Sequence, residues 1–139
     1  MILLDTNIAI AHVDVDHRAG ERLHSALTAG ESVSLSAVAL YELRYGAAKS
    51  SRPDHNDARV DALLSGPIVI EPFGSADAAI AGRVRADLER LGTPIGPYDL
   101  LIAAQALRCG ATVATNYVGE FRRVAGLVVE DWLASSTLA

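Results

Sequence analysis

The sequence is poor in the residues that mark several common protein classes. Its 139 residues include one cysteine, Cys109. A single thiol closes no internal disulfide, so disulfide-stapled secreted folds are excluded and a reducing, cytoplasmic home is expected. The apolar neighbours of Cys109 predict a buried thiol. Lysine is equally scarce, with Lys49 alone, and seventeen acids against twelve bases leave a formal net charge of −5. That balance excludes a protein that grips nucleic acid by bulk charge. No apolar run approaches the roughly 20 residues of a membrane-spanning helix, and the opening MILLD is too short and insufficiently basic for a secretion signal, so no membrane partner is expected. The chain contains no GxSxG, P-loop or GxGxxG motif, and Cys109 has no histidine close in sequence to activate it. His12, His17, His24 and His55 fall in polar stretches without zinc-type spacing, which predicts solvated side chains.

Half of the residues are apolar and about a fifth are charged, an ordinary globular composition for one domain spanning residues 1–139. Short apolar runs at Met1–Leu4, Ser32–Leu35, Ile68–Ile70, Ala111–Ala114 and Leu127–Glu130 read as strands. The prolines flanking Ile68–Ile70 place that strand at an edge. Helices are expected over Ile8–Val13, His17–Ala29, Ala37–Lys49, Ala58–Leu64, Ser75–Leu91 and the stretch opened by Pro97, with a short turn or helix at 119–121 and a tail after residue 130. Ser36 and Ser75 are the expected caps, and residues 50–56 a polar loop. Strands alternating with helices predict an α/β fold, a short parallel sheet of about five strands with helices on both faces.

Three acids stand out against this pattern. Asp5 ends the first strand, where open parallel sheets place their ligands. Asp99 lies in the first turn of IGPYDLLIAAQAL, heading a face of Ile102, Ala103 and Ala106. Glu42 is the only charge between Ala37 and Leu43, and Val38, Tyr41, Glu42 and Tyr45 share a stripe. Each has an ordinary explanation: Asp5 as a helix cap, Asp99 as complement to a helix dipole, and Glu42 as half of an ion pair with Arg44 or a distant arginine. Strand carboxyl ends and helix amino ends share one edge of a parallel sheet, so Asp5, Asp99 and the Thr115–Glu120 loop are expected to converge there, and Glu42 joins them as a third acid in an apolar setting. Acids gathered there without a cation repel each other and take up protons. An all-oxygen set selects hard divalent ions, Mg²⁺ or Mn²⁺, whose chemistry suits in-line attack on phosphate.

These residues resemble the PIN-domain ribonucleases, and more closely the VapC toxins of bacterial toxin–antitoxin pairs. The resemblance runs through MILLDTN (1–7), SAVALYELRYGAAK (36–49), GTPIGPYDLLIAAQAL (92–107) and ATNYVGEFRRVAGLVVEDW (114–132). By position, Asp5, Glu42 and Asp99 match the family's three principal metal-binding acids, Thr115 and Asn116 its TN signature, and Glu120 an acid that often serves as a fourth ligand. Thr6 and Asn7 complete the DTN opening in support. Where some members carry an Asp directly after TN, this chain has Tyr117. The resemblance implies Mg²⁺-dependent endoribonuclease activity, an RNA substrate, a cognate VapB-type antitoxin and a homodimer. Arg83, Arg85, Arg122 and Arg123 are candidates for contact with the RNA backbone, against the ordinary reading of a solvated face.

Two other readings make distinct demands. A phosphoacceptor signalling domain on a similar sheet requires a paired acid beside Asp5 and a lysine after the last strand, and the chain has neither. A catalytically weak PIN-like interaction module requires no acid set, and here the set is intact.

Overall fold

The computed structural model of the chain describes residues 1–13 and 17–134. The elements follow in order as β1 (Ile2–Leu4), α1 (Thr6–Val13), α2 (His17–Thr28), β2 (Val33–Ser36), α3 (Ala37–Ala48), α4 (Pro53–Leu64), β3 (Val69–Glu71), α5 (Ser75–Arg90), α6 (Pro97–Cys109), β4 (Thr112–Thr115), α7 (Val118–Phe121) and β5 (Val128–Asp131). All five strands are parallel, in the order β3-β2-β1-β4-β5. The α/β class, the strand number and the edge position of the proline-flanked strand agree with the sequence reading.

The topology fixes where a site can form. From β1 the chain steps outward through β2 to β3, then crosses back to β4 on the other side of β1. Right-handed crossovers put the helices of these two excursions on opposite faces of the sheet. Strand order therefore reverses between β1 and β4, opening a crevice at their carboxyl ends. The register seats Leu4 beside Ala114, so Asp5 and Thr115 lie next to each other at that crevice.

Burial explains the short strands. Every residue of β1 and β2 is buried, as expected of central strands covered on both faces, whereas β3 and β5 alternate outward at the edges. Leu3, Leu4, Ile8, Leu35, Ile102, Val113 and Phe121 form the centre of the core. Helix α6 buries Ile102, Ala103 and Ala106 as its spacing predicts, and Gly110 ends it with φ 62°, a left-handed cap natural to glycine.

Several expectations are corrected. Helix α4 begins at Pro53, five residues before the expected Ala58, because proline suits the first helical position and the polar residues 54–57 form an outer turn rather than a loop. Gly74, not Ser75, caps α5: its N–H donates to Asp77 Oδ2 at 2.8 Å. Cys109 is only partly buried, with its thiol donating to Glu71 Oε1 at 3.6 Å, and burial followed by the Glu71 charge raises its pKa. The stretch after β5 packs Trp132 into the core, so it is not a loose tail; residues 135–139 of that expected tail lie outside the described residues. His17, His24 and His55 are exposed and His12 is half-buried.

Candidate active site

Asp5 is 2% exposed, and both of its oxygens are engaged. Oδ1 accepts the Thr6 N–H at 2.7 Å, and Oδ2 accepts the Thr115 hydroxyl at 2.8 Å. Thr115 Oγ1 in turn accepts the Tyr117 N–H at 2.9 Å, which folds the chain back over the end of β4. Burial pushes the Asp5 carboxyl up to about 6, against the lowering pull of the Thr115 and Thr6 donors, with the charges of Glu42 and Glu120 adding to the rise. Asp5 thus caps the amino end of α1 and also faces other acids, so its ordinary and functional readings coexist.

Glu42 reaches the same neighbourhood from α3. It is half-buried, and its Oε1 accepts the Thr6 hydroxyl at 2.8 Å. The expected ion pair with Arg44 is not formed. Arg44 turns the other way to Asp57 at 2.7 Å and Asp61 at 2.8 Å, clamping α3 against α4. The core face of α3 is Ala39, Leu43 and Ala47, while Tyr41 and Tyr45 of the anticipated stripe are exposed beside Glu42.

Asp99 enters from the first turn of α6 and forms a side-chain hydrogen bond with Glu120 of α7. Two carboxyls can share such a bond only if one keeps a proton. Burial, followed by this bond and by the charges of Asp5, Glu120 and Glu42, raises Asp99 to about 8. At neutral pH Asp99 therefore largely keeps its proton.

The supporting residues divide. Thr6 and Thr115 orient carboxylates, whereas Asn116 is exposed at the lip of the crevice. Asn7 has a buried side-chain amide whose Oδ1 and Nδ2 have no hydrogen-bond partner among the described residues. A buried amide left this way costs about 1–3 kcal/mol, which a ligand could recover. Arg85 is paired with Glu89 at 2.9 Å and Arg123 donates to the Pro94 carbonyl at 2.8 Å, while Arg83 and Arg122 are exposed.

The donor chemistry fits a hard cation: four carboxylates come together from distant parts of the chain, with burial and mutual repulsion raising Asp5 and Asp99, and Asn7, two residues beyond Asp5, carries a buried side-chain amide without a partner among the described residues. Among the described residues, no three of these side chains close into a finished coordination sphere. They are instead tied off in pairs, Glu42 to Thr6 and Asp99 to Glu120.

Two polar networks escaped sequence reasoning. Gln105, fully buried on an apolar helix, accepts from the Ser36 hydroxyl and donates to the Glu71 carbonyl at 3.1 Å, tying α6 to β2 and β3. Arg108 joins buried Asp77 to Glu71, whose Oε1 lies 2.7 Å away. A glutamine three turns into an alanine-rich helix was the available signal for the first network; the second had none in local sequence.

Residues 2–127 match the PIN domain family. The chain is 40% identical over 130 residues to the tRNA(fMet)-specific endonuclease VapC of Shigella flexneri, covering 94% of this chain and 96% of that protein. It is 33% identical to ribonuclease VapC2 of Rickettsia felis over the same shares of each chain. Among solved structures, the Rickettsia felis VapBC2 complex bound to a promoter DNA fragment superposes with a TM-score of 0.89 at 33% identity, covering 95% of this chain and 99% of that one. DNA-bound VapBC from Salmonella typhimurium gives a TM-score of 0.86 at 36% identity, covering 94% and 97%. With a parallel sheet that reverses order beside Asp5 and relatives matched over nearly their full length, the chain belongs to the PIN-domain family and, within it, to the VapC ribonucleases, the toxins of VapBC toxin–antitoxin pairs.

Proposed function

We propose that this chain is a Mg²⁺-dependent endoribonuclease whose catalytic acids are Asp5, Glu42 and Asp99. The observation that carries the reading is the meeting of acids from distant parts of the chain at the β1/β4 crevice, with Asp5 raised to about 6 and Asp99 to about 8. Asp5, Glu42, Asp99 and Glu120 would hold the ion, and Mn²⁺ would substitute for Mg²⁺. When bound, such an ion supplies a water of lowered pKa and offsets charge gathering on the phosphate.

The protein's own part is orientation and proton release. Thr115 and the Thr6 amide fix the two oxygens of Asp5, so its carboxylate cannot rotate away. The Thr6 hydroxyl aims Glu42 from α3 toward the same edge. Asp99, raised by burial and by its neighbour Glu120, would have to give up its proton to serve as a charged donor to the ion.

The reading includes a cognate VapB-type antitoxin, in keeping with the VapBC assemblies among the solved neighbours, a homodimer, and a cytoplasmic setting. The tRNA(fMet) named for the Shigella relative is the first RNA to offer it. No helix among the described residues is long and apolar enough to cross a membrane.

The test is cleavage of end-labelled RNA by the purified chain with Mg²⁺, with Mn²⁺ and with chelator. Cleavage should require the ion, and Asp99→Asn should lower the rate by about a hundredfold or more, far beyond the roughly 0.3–1 kcal/mol of a helix-dipole contact. An Asp99→Asn protein as active as the parent would remove Asp99 from the mechanism.

A further inference from the structure

The aromatic side chains divide by location. Phe121 and Trp132 are buried and Phe73 is half-buried, whereas all four tyrosines are 42–58% exposed. Tyr41, Tyr45 and Tyr98 line one cleft of about 490 Å³, and the same cleft is lined by Thr6 and Glu42 of the acid edge. Its volume lies within the roughly 300–1,000 Å³ of small-ligand pockets. The Tyr41 and Tyr98 rings, from α3 and α6, meet edge to face with centroids 5.5 Å apart and planes at 74°, their hydroxyls 3.5 Å from each other. Tyr45 lies next along α3, its centroid 6.4 Å from that of Tyr41. The ammonium of Lys49, the chain's single lysine, sits 4.9 Å from the Tyr45 ring centroid and also lines the cleft.

Three features select the occupant. Tyr41, Tyr45 and Tyr98 keep 42–57% of their surface exposed, and exposed aromatic surface of this kind stacks on planar groups of any sequence. A cation stands at the Tyr45 end, where a phosphate following the stacked base can meet it. The third feature is continuity, since Glu42 belongs both to this cleft and to the acid set, so one occupant can touch both. A paired duplex keeps its bases stacked on each other and has none to offer, whereas a loop or a single strand does.

We propose that Tyr41, Tyr98 and Lys49 form a subsite for single-stranded RNA beside the acids: a nucleobase next to the scissile phosphate stacks in the Tyr41–Tyr98 notch, and Lys49 meets the backbone phosphate beyond it. The subsite rests on the ribonuclease reading and adds the side chains that seat the base beside the bond cut. Its selectivity is for an accessible base rather than a particular one.

The test measures binding of a fluorescent single-stranded RNA of about 12 nucleotides, intact or with one abasic position, to the full chain in chelator, together with cleavage of the same RNA in Mg²⁺. Tyr98→Ala and, separately, Tyr41→Ala should each weaken binding about tenfold, Tyr98→Phe should change it less than about threefold, and the abasic site should weaken the parent protein but not Tyr98→Ala. Lys49→Gln should flatten the dependence of log affinity on log salt by about 0.7. The subsite is overturned if the parent binds and cleaves this RNA and both alanine variants match it, or if they shift only the sedimentation mass, which would make the cleft a contact between copies of the chain. A parent that neither binds nor cleaves RNA overturns the ribonuclease reading and the subsite with it.

Discussion

Raising the pH from 5 to 8 in the presence of chelator should destabilise the protein, opposite to the behaviour of carboxylates held in salt bridges. Asp5 and Asp99 bind their protons more tightly in the folded chain than in the unfolded one, with values of about 6 and about 8 against an ordinary 3.8. Their contribution is therefore fully present below about pH 4 and drains away as pH climbs through about 6 for Asp5 and about 8 for Asp99. At about 1.36 kcal/mol per pH unit, the rise at buried Asp5 costs the folded state about 3 kcal/mol above pH 7. Asp99 adds a smaller amount, because its half-exposed position lets water screen the repulsion. Between pH 5 and 8 Asp5 gives up the part of this not already lost below pH 5, about 1.4 kcal/mol, which for a domain of this size is roughly 5 °C in Tm, and the share of Asp99 adds to it. Calorimetry across that pH range is the assay, with two controls: Mg²⁺ should restore Tm at pH 8, and Asp99→Asn should flatten the upper part of the curve. A Tm that holds level or rises from pH 5 to 8 in chelator would refute the account of mutually repelling, buried acids.

Two further substitutions probe what holds the site. Thr115→Val keeps the shape but removes the donor to Asp5 Oδ2, so it should cost about 1–3 kcal/mol in denaturant unfolding at pH 8 and less at pH 5, where Asp5 is protonated. Asp77→Ala breaks the pair with Arg108 and frees the Gly74 N–H; it should cost about 3 kcal/mol by urea melt, the lower end for a broken buried pair because Arg108 keeps 32% of its side chain in water. RNA binding by the Asp77→Ala protein should persist under conditions where it remains folded, as Asp77 lies outside the acid crevice.

Much of this architecture was legible because its signals are local. Met1–Leu4 is wholly apolar and ends in an acid, which is what a central parallel strand with a site at its carboxyl end requires, and Pro97 with Gly110 brackets α6. The start of α4 was hidden because its first turn faces water and carries no apolar periodicity to reveal it. Asp5, Asp99 and the Thr115–Glu120 loop could be gathered from topology alone, since strand carboxyl ends and helix amino ends share one sheet edge, whereas Glu42, inside α3, was joined to them by its apolar setting and the family resemblance. How they rest there could not. The Asp99–Glu120 proton bond and the diversion of Arg44 to α4 depend on side-chain reach across elements distant in sequence. Cys109 looked buried from its neighbours, yet the helix end turns its thiol toward Glu71. The tyrosine stripe on α3 was visible as a period, but only tertiary packing decides that Ala39, Leu43 and Ala47 face the core and the rings face solvent.

The insertion of β1 between β2 and β4 has a consequence for the newborn chain. A nascent polypeptide that has reached Gly110 already carries Asp5, Glu42 and Asp99, yet it lacks the strand that flanks β1 on one side, the Thr115 hydroxyl that steadies Asp5 and the Glu120 carboxyl that meets Asp99. Such long-range parallel pairing closes last. A ribonuclease built this way should stay inactive on the ribosome that makes it until synthesis is nearly done, and translation products stopped at Gly110 should cut no RNA.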